Sequence, residues 1–165
     1  MLVHAPSVLD ENDIKKVFDL YKNSNNSIEL NNIITDRHWA SQIGNFLITE
    51  FTNEEFSFIW DKVKKLFPEG TELVYSRVLK YNRNCFIPKH IDTYDEDWQQ
   101  ANDISVIIQL NSREDYTGGD AIVSNQLFEL NPGDCIYYTY DNEHEIKKIK
   151  SGIRYVVNLR CKSVK

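Results

Sequence analysis

The chain has 165 residues, 41% of them hydrophobic and 12% aromatic, so it can bury one hydrophobic core and is not expected to be disordered. Its 19 basic and 25 acidic residues give a net charge of -6, which disfavours duplex nucleic acid as a partner. No apolar run reaches the roughly 18 residues of a membrane span. The N-terminus lacks a signal-peptide pattern, so a cytoplasmic protein with no membrane partner is expected. The three cysteines are widely spaced, which favours buried thiols over disulfides or a zinc site.

The first 70 residues are predicted to be helical. Positions 14–21 carry apolar residues at helical spacing, and Asp10 can cap the first turn of that helix. A weaker helical stripe consists of Trp39, Ile43, Phe46 and Leu47. A third helix is expected to begin at Thr52, where Glu55 completes a capping box. These apolar stripes are expected to be packing faces and not binding sites.

From position 72 the hydrophobic period changes to two, which indicates strands. The predicted strands cover 72–81, 104–110, 120–124, 126–130, 134–140, 143–149 and 153–161. Glycine-containing turns separate several of them, at 118–119, 131–133 and 151–152. Helices followed by many antiparallel strands predict one α+β domain over 1–165 that is mainly β, with a helical part at 1–70 and a β core at 72–161. A sandwich or barrel with the helices packed outside fits best.

Two residues of metal-binding type, His90 and Asp92, lie two positions apart. On an extended backbone both side chains project from the same face and could hold one ion. Chance alone would place a His two residues before an Asp in roughly one chain of this composition in three. An ordinary surface pair is therefore as well supported as a metal pair by these two residues alone.

His144 would complete a set of two imidazoles and one carboxylate. This arrangement binds non-haem iron(II) and leaves positions open for a chelating co-substrate and oxygen. Taken alone, His144 also fits an exposed residue in an acidic stretch. Arg154 opens the predicted strand 153–161, and alternation places Asn158 and Arg160 on the same face. A carboxylate held by the planar guanidinium in two parallel hydrogen bonds would explain an arginine at this position.

Five features in this order and spacing resemble the prolyl-4-hydroxylase-like branch of the 2-oxoglutarate and iron(II)-dependent oxygenases: Tyr81, His90-x-Asp92, Gly118-Gly119, His144 and Arg154. The resemblance covers about residues 72–161. It implies a double-stranded β-helix, the jelly-roll or cupin-like fold, with N-terminal helices outside. It also implies a dioxygenase that hydroxylates a C-H bond of a peptidyl proline in a peptide or protein, with succinate and carbon dioxide as co-products. The cofactors implied are iron(II), 2-oxoglutarate, dioxygen and ascorbate.

Carried over to this chain, the resemblance implies that His90, Asp92 and His144 are the catalytic metal ligands. Arg154 would bind the distal carboxylate of 2-oxoglutarate, and Tyr81 would donate a hydrogen bond to the same molecule. The two glycines of the motif are expected to serve a turn and to have no chemical role.

Further contacts are expected around this centre. Gln109 lies where related enzymes often place a hydroxyl against the distal carboxylate, although an exposed strand residue fits equally well. Asn158 is expected to contact the co-substrate. Arg160 is expected nearer the iron and the mouth of the pocket, as a substrate contact. The aperiodic segment 93–103 is expected to form a loop over the substrate, with Tyr94 and Trp98 as its contacts.

Alternative functions remain open for the sequence. Arg154 and Arg160 are spaced like the paired arginines of the nucleic-acid demethylase branch, whereas the spacing from His144 to Arg154 and the acidic net charge favour the hydroxylase branch. A small molecule or a nucleic-acid base is therefore an alternative substrate. The candidate from another class is a non-enzymatic β-sandwich binding module, in which the His and Asp residues are incidental.

Overall fold

A computed structural model describes residues 1–29, 43–44, 46–92 and 103–164. This part of the chain holds helices α1 (Glu11–Lys22) and α2 (Ser57–Val63) and short 3-10 helices at Lys64–Leu66 and Arg113–Asp115. None of these described helices is long and apolar enough to cross a membrane. The strands are β1 (Leu2–Ala5), β2 (Ser27–Glu29), β3 (Phe46–Phe51), β4 (Glu72–Tyr81), β5 (Ile87–His90), β6 (Ile104–Gln109), β7 (Tyr116–Gly118), β8 (Ala121–Val123), β9 (Gln126–Phe128), β10 (Cys135–Thr139), β11 (His144–Ile146), β12 (Ile149–Gly152) and β13 (Arg154–Lys162).

The strands form antiparallel sheets of unequal size. The large sheet has the order β1-β10-β6-β13-β4-β3-β2, and the small sheet has the order β5-β11-β8-β9. A third pair, β12-β7, completes the described strands. Neighbours in the large sheet come from distant parts of the chain, as in a jelly roll. The predicted mainly-β class with a double-stranded β-helix core is confirmed.

The hydrophobic core has two layers, one on each face of the large sheet. The inner layer joins Val156 of β13 to Val123 of the small sheet. The outer layer joins Val157 of β13 to Val17 of α1 and Ile59 of α2. Because successive side chains of a strand point to opposite faces, β13 contributes to both layers. The helices therefore pack on the outside of the large sheet, and the space between the sheets is left for the functional site.

Seven predicted strands are found near their predicted bounds, and β4 matches its prediction at both ends. The cap of α1 is also as predicted, since the Asp13 amide donates to Asp10 at 2.9 Å. The capping-box hydrogen bonds of Thr52 and Glu55 form, at 2.7 and 3.1 Å. Regular helix begins only at Ser57, one turn later than predicted.

The expectation of a wholly helical segment over the first 70 residues is wrong. Strands β1, β2 and β3 all lie in it, and β1 and β3 belong to the large sheet with β2 at its edge. Phe46 and Leu47, assigned to a helical stripe, begin β3, whereas Trp39 of that stripe lies outside the described residues. Strand β3 pairs with β4 over its whole length. This tertiary pairing overrides the apparent helical spacing of a few apolar residues.

The turn at Gly118 and Gly119 has the backbone that its two glycines predict. Their φ angles are 76° and 70°, in the left-handed region that other residues rarely adopt. A Cβ on Gly118 would lie 2.1 Å from the carbonyl oxygen of Lys148. Gly118 is therefore required by the close approach of β7 to the segment before β12, and Gly119 is favoured by its positive φ.

Candidate metal centre

Two histidines meet across the small sheet. His90 is the last residue of β5, and His144 is the first residue of β11. They are register partners in this antiparallel pair, and their ring centres are 4.4 Å apart. Cross-strand pairing therefore brings together two imidazoles that lie far apart in the chain. His144 is buried, so its alternative interpretation as an exposed residue is wrong.

Backbone carbonyls orient both imidazoles. Nδ1 of His90 lies 2.7 Å from the Pro88 carbonyl oxygen, and Nδ1 of His144 lies 2.9 Å from the Asn142 carbonyl oxygen. A carbonyl oxygen can only accept, so Nδ1 carries the proton and donates in each case. The lone pair of each neutral ring then resides on Nε2, the tautomer found in metal-bound histidines with such a backbone partner.

Asp92 completes the cluster just beyond the end of β5. Its amide donates to the Tyr140 carbonyl oxygen at 3.3 Å, which turns the chain back toward the histidines. Its Oδ1 lies 3.2 Å from Nε2 of His144 and 3.9 Å from Nε2 of His90. Ligand atoms from the three residues all lie within 4.8 Å of one another. Two imidazole nitrogens and one carboxylate oxygen at this separation fit iron(II).

Arg160 lies against the same carboxylate. One of its Nη atoms donates to Oδ2 of Asp92, and both side chains are largely buried. Burial favours the neutral form of Asp92, but Arg160 and His144 outweigh burial and hold the pKa of this carboxyl well below its ordinary value. Asp92 is thus kept as a carboxylate, the form that can bind a metal ion.

Arg154 is buried beside two other residues predicted to bind the co-substrate. It is 1% exposed, its Nε donates to Oε1 of Gln109 at 3.0 Å, and its guanidinium carbon lies 5.3 Å from the centre of the Tyr81 ring. Gln109 is itself fully buried, so its alternative interpretation as an exposed strand residue is wrong. Nη1 of Arg154 is buried and has no hydrogen-bond partner among the described residues. A buried guanidinium with an unused donor fits a bound carboxylate.

A cavity of about 90 Å³ opens between the two sheets. Asp92 and His144 line it together with Tyr81, Asn158 and Arg160. Most of the remaining lining is apolar, from residues such as Leu79, Ile107, Val123 and Ile136. Arg154 does not line the cavity and lies against Tyr81 in its wall. Two of the three metal-binding residues, two polar residues of β13 and the apolar interior thus share one space.

Sequence reasoning missed three polar residues of this cavity, Ser105, Tyr138 and Glu145. Tyr138 and Ser105 both line it, and they are register partners on β10 and β6. The Tyr138 ring centre is 4.7 Å from that of His144. Alternation in the predicted strand 134–140 marked Tyr138 as sharing a face with Ile136, but it could not tell which face is inward. Tyr94 and Trp98, the predicted lid contacts, lie outside the described residues.

The fold and the cluster together define a jelly-roll protein with a candidate metal site of two histidines and one carboxylate. Residues 76–159 match the sequence profile of the 2OG-Fe(II) oxygenase superfamily. This match spans half of the chain, and the chain belongs to that superfamily. The protein is thus a dioxygenase that uses iron(II) and 2-oxoglutarate. No curated protein sequence matches the chain.

Solved structures share the fold at low sequence identity. A viral collagen prolyl hydroxylase from Paramecium bursaria Chlorella virus-1, in complex with 2-oxoglutarate, is 14% identical, with a TM-score of 0.70 over 99% of this chain and 96% of that one. A prolyl hydroxylase from Trichoplax adhaerens, bound to a hypoxia-inducible-factor peptide, is 15% identical, with a TM-score of 0.69 over 98% and 83%. HygX from Streptomyces hygroscopicus, with nickel and 2-oxoglutarate bound, is 9% identical, with a TM-score of 0.72 over 99% and 83%.

Proposed function

We propose that His90, Asp92 and His144 hold the iron(II) and that the enzyme hydroxylates a peptidyl proline. The main support for this metal site is that ligand atoms of the three residues lie within 4.8 Å of one another. Backbone carbonyls orient both imidazoles through Nδ1, so Nε2 is the nitrogen that would bind the metal, and Asp92 is kept ionised. When bound, iron(II) and 2-oxoglutarate supply the oxidant for C-H hydroxylation, with succinate and carbon dioxide as co-products.

The co-substrate site in this proposal lies around the start of β13. Arg154 holds the distal carboxylate with its unused donor, and Gln109 fixes the guanidinium through Nε. Burial raises the pKa of Tyr81 to about 12, although the charge of Arg154 opposes this, so the phenol stays protonated and can donate. Tyr81 lies in the cavity wall against Arg154, which suits a carboxylate held by both. Asn158 faces the cavity from the same strand, although its amide also donates to the Val106 carbonyl oxygen at 3.2 Å.

The cavity and the fold support proline as the substrate. Apolar side chains around the metal cluster, among them Ile87 and Ile146, suit an aliphatic ring. The chain also shares its fold with prolyl hydroxylases over nearly its whole length. In this proposal the peptide enters past Arg160.

A second candidate is a small-molecule substrate. The α-ketoglutarate-dependent epimerase SnoN from nogalamycin biosynthesis also shares the fold, at 13% identity and with a TM-score of 0.67. The buried ion pair of Arg160 and Asp92 gives the cavity a charged edge, which would suit a polar metabolite as well as a peptide carbonyl.

The first experiment measures succinate formed from 2-oxoglutarate by purified protein with iron(II) and ascorbate, without added substrate. Slow turnover is expected from the wild type and none from His144→Ala. His4→Ala is the matched control, because His4 is a surface histidine that approaches Asp134 at 3.8 Å, away from the cluster. Equal turnover in the wild type and His144→Ala would contradict the proposed metal site.

The substrate is tested separately, by mass spectrometry. Proline-containing peptides are screened for the gain of one oxygen atom, beside free amino acids and methylated single-stranded nucleic acid. Oxidation of peptidyl proline is expected. Demethylation without peptide oxidation would overturn the substrate assignment, and binding to single strands should then weaken with salt by a logarithmic slope of about 0.7 per phosphate contact.

A further inference from the structure

The two oxygens of the Asp92 carboxylate face different partners. Oδ1 lies 3.2 Å from Nε2 of His144 and 3.9 Å from Nε2 of His90. Oδ2 accepts a hydrogen bond from Arg160 instead. The carboxylate is therefore fixed in its plane, with one oxygen toward the imidazoles and the other toward the guanidinium.

Arg160 is held rigidly enough to act as an anchor. It lies within β13 and is paired in register with Ser105 of β6 on one side and with Tyr75 of β4 on the other. Its side chain is only 12% exposed. Asp92, by contrast, lies beyond the end of β5 and before a segment outside the described residues. Arg160, which is fixed within the sheet, thus constrains the position of Asp92, which lies outside it.

We propose that Arg160 is a positioning residue that makes Asp92 bind the metal through a single oxygen. This inference rests on the metal site proposed above. With Oδ2 engaged by Arg160, only Oδ1 is directed at the site, so the three protein residues supply three ligand atoms. A carboxylate free to bind through both oxygens would occupy one of the positions that the chelating co-substrate and oxygen need.

The chain offers a matched pair of arginines for the test. Arg77 lies on β4, next to β13, and also binds a carboxylate, with its Nη2 donating to Glu50 at 2.8 Å. It does not line the cavity. Arg77→Met therefore removes a similar ion pair from the same sheet without touching Asp92. Arg160→Met removes the hydrogen bond and the charge, whereas Arg160→Lys keeps the charge and one donor.

The experiment titrates metal-free protein with Co(II), whose visible absorption depends on the number and geometry of its ligands. Loss of a residue that orients a metal ligand commonly weakens metal binding by about 10- to 100-fold. Arg160→Met should show a loss of this size and an altered spectrum. Arg160→Lys should recover part of both, and Arg77→Met should match the wild type. Circular dichroism confirms that each variant is folded.

Each outcome separates this inference from the proposed metal site. Wild-type affinity and spectrum in Arg160→Met would overturn the positioning role and leave the metal site standing. If the wild type binds no Co(II), the metal site fails, and the positioning role fails with it. If Arg160→Met does not fold, Arg160→Gln provides the same comparison, because glutamine is neutral and polar. A purely structural arginine would lower thermal stability without changing the spectrum of the bound metal.

Discussion

Replacing Arg154 with methionine should make the protein more stable when 2-oxoglutarate is absent. Arg154 is 1% exposed and forms no ion pair with any described residue. Its contacts there are the hydrogen bond to Gln109 and the ring of Tyr81. Replacing a buried ion pair with well-packed apolar side chains is often neutral or stabilises by about 1–4 kcal/mol, and a buried charge without an ion partner has even less attraction to lose. In a chain of this length each kcal/mol corresponds to about 2–4 °C in Tm.

The same substitution should abolish most of the response to 2-oxoglutarate. Losing one partner of a buried charged pair costs about 2–5 kcal/mol, which weakens binding by roughly 30-fold to several thousandfold. At a co-substrate concentration of about 100 times its Kd, the wild type gains about 2.7 kcal/mol of stability. A variant that binds roughly 100-fold more weakly gains only about 0.4 kcal/mol at that concentration. The substitution should therefore raise the free energy of unfolding without 2-oxoglutarate and reduce the stability gained when 2-oxoglutarate is added.

Thermal denaturation with and without 2-oxoglutarate measures both effects, and calorimetric titration gives the Kd. Arg113→Met is the control, because Arg113 is a partly exposed arginine whose ion pair with Asp120 spans 3.4 Å. Arg154→Lys should restore binding only in part, since lysine lacks the planar two-point fork. An unchanged Kd in Arg154→Met would show that another residue holds the carboxylate. A loss of stability without co-substrate would refute the argument from an uncompensated charge.

The strands that the sequence pattern predicts best are the long ones of the large sheet. Strand β4 has ten residues and β13 has nine, long enough for alternation to be recognised. The strands that it misses have three to six residues, among them β5, which contains Pro88. A strand of four residues with an internal proline has little intrinsic preference, and it forms because β11 lies beside it. Its existence is a consequence of tertiary pairing.

The candidate site shows the same division between local pattern and tertiary contact. The spacing of His90, Asp92, His144 and Arg154 suffices to predict which residue types the site combines. The contact between Arg160 and Asp92 joins residues 68 positions apart and was not predicted. It depends on where the chain turns after β5, which is set by a backbone hydrogen bond to Tyr140. Sequence alternation identifies the face of Arg160 but not the partner it meets there.

Two further predictions concern the metal ligands and Tyr81. His90→Ala and His144→Ala should each lose metal, as measured by elemental analysis, and keep a folded circular dichroism spectrum; wild-type metal content in either variant would remove that histidine from the site. The pKa of Tyr81 is raised by burial to about 12, so its phenol should remain a donor and the Kd for 2-oxoglutarate should show no ionisation of Tyr81 up to about pH 10. Because the unfolded chain releases this proton near its ordinary pKa of 10.0, the contribution of Tyr81 to the free energy of unfolding is complete below pH 10 and is lost as the pH rises toward 12. Calorimetric titrations and denaturation across this range, with Tyr81→Phe as the reference, measure both effects. The opposite result is that the wild type loses affinity for 2-oxoglutarate below pH 10 while Tyr81→Phe does not. That result would show that the phenol ionises early and that burial does not set its pKa.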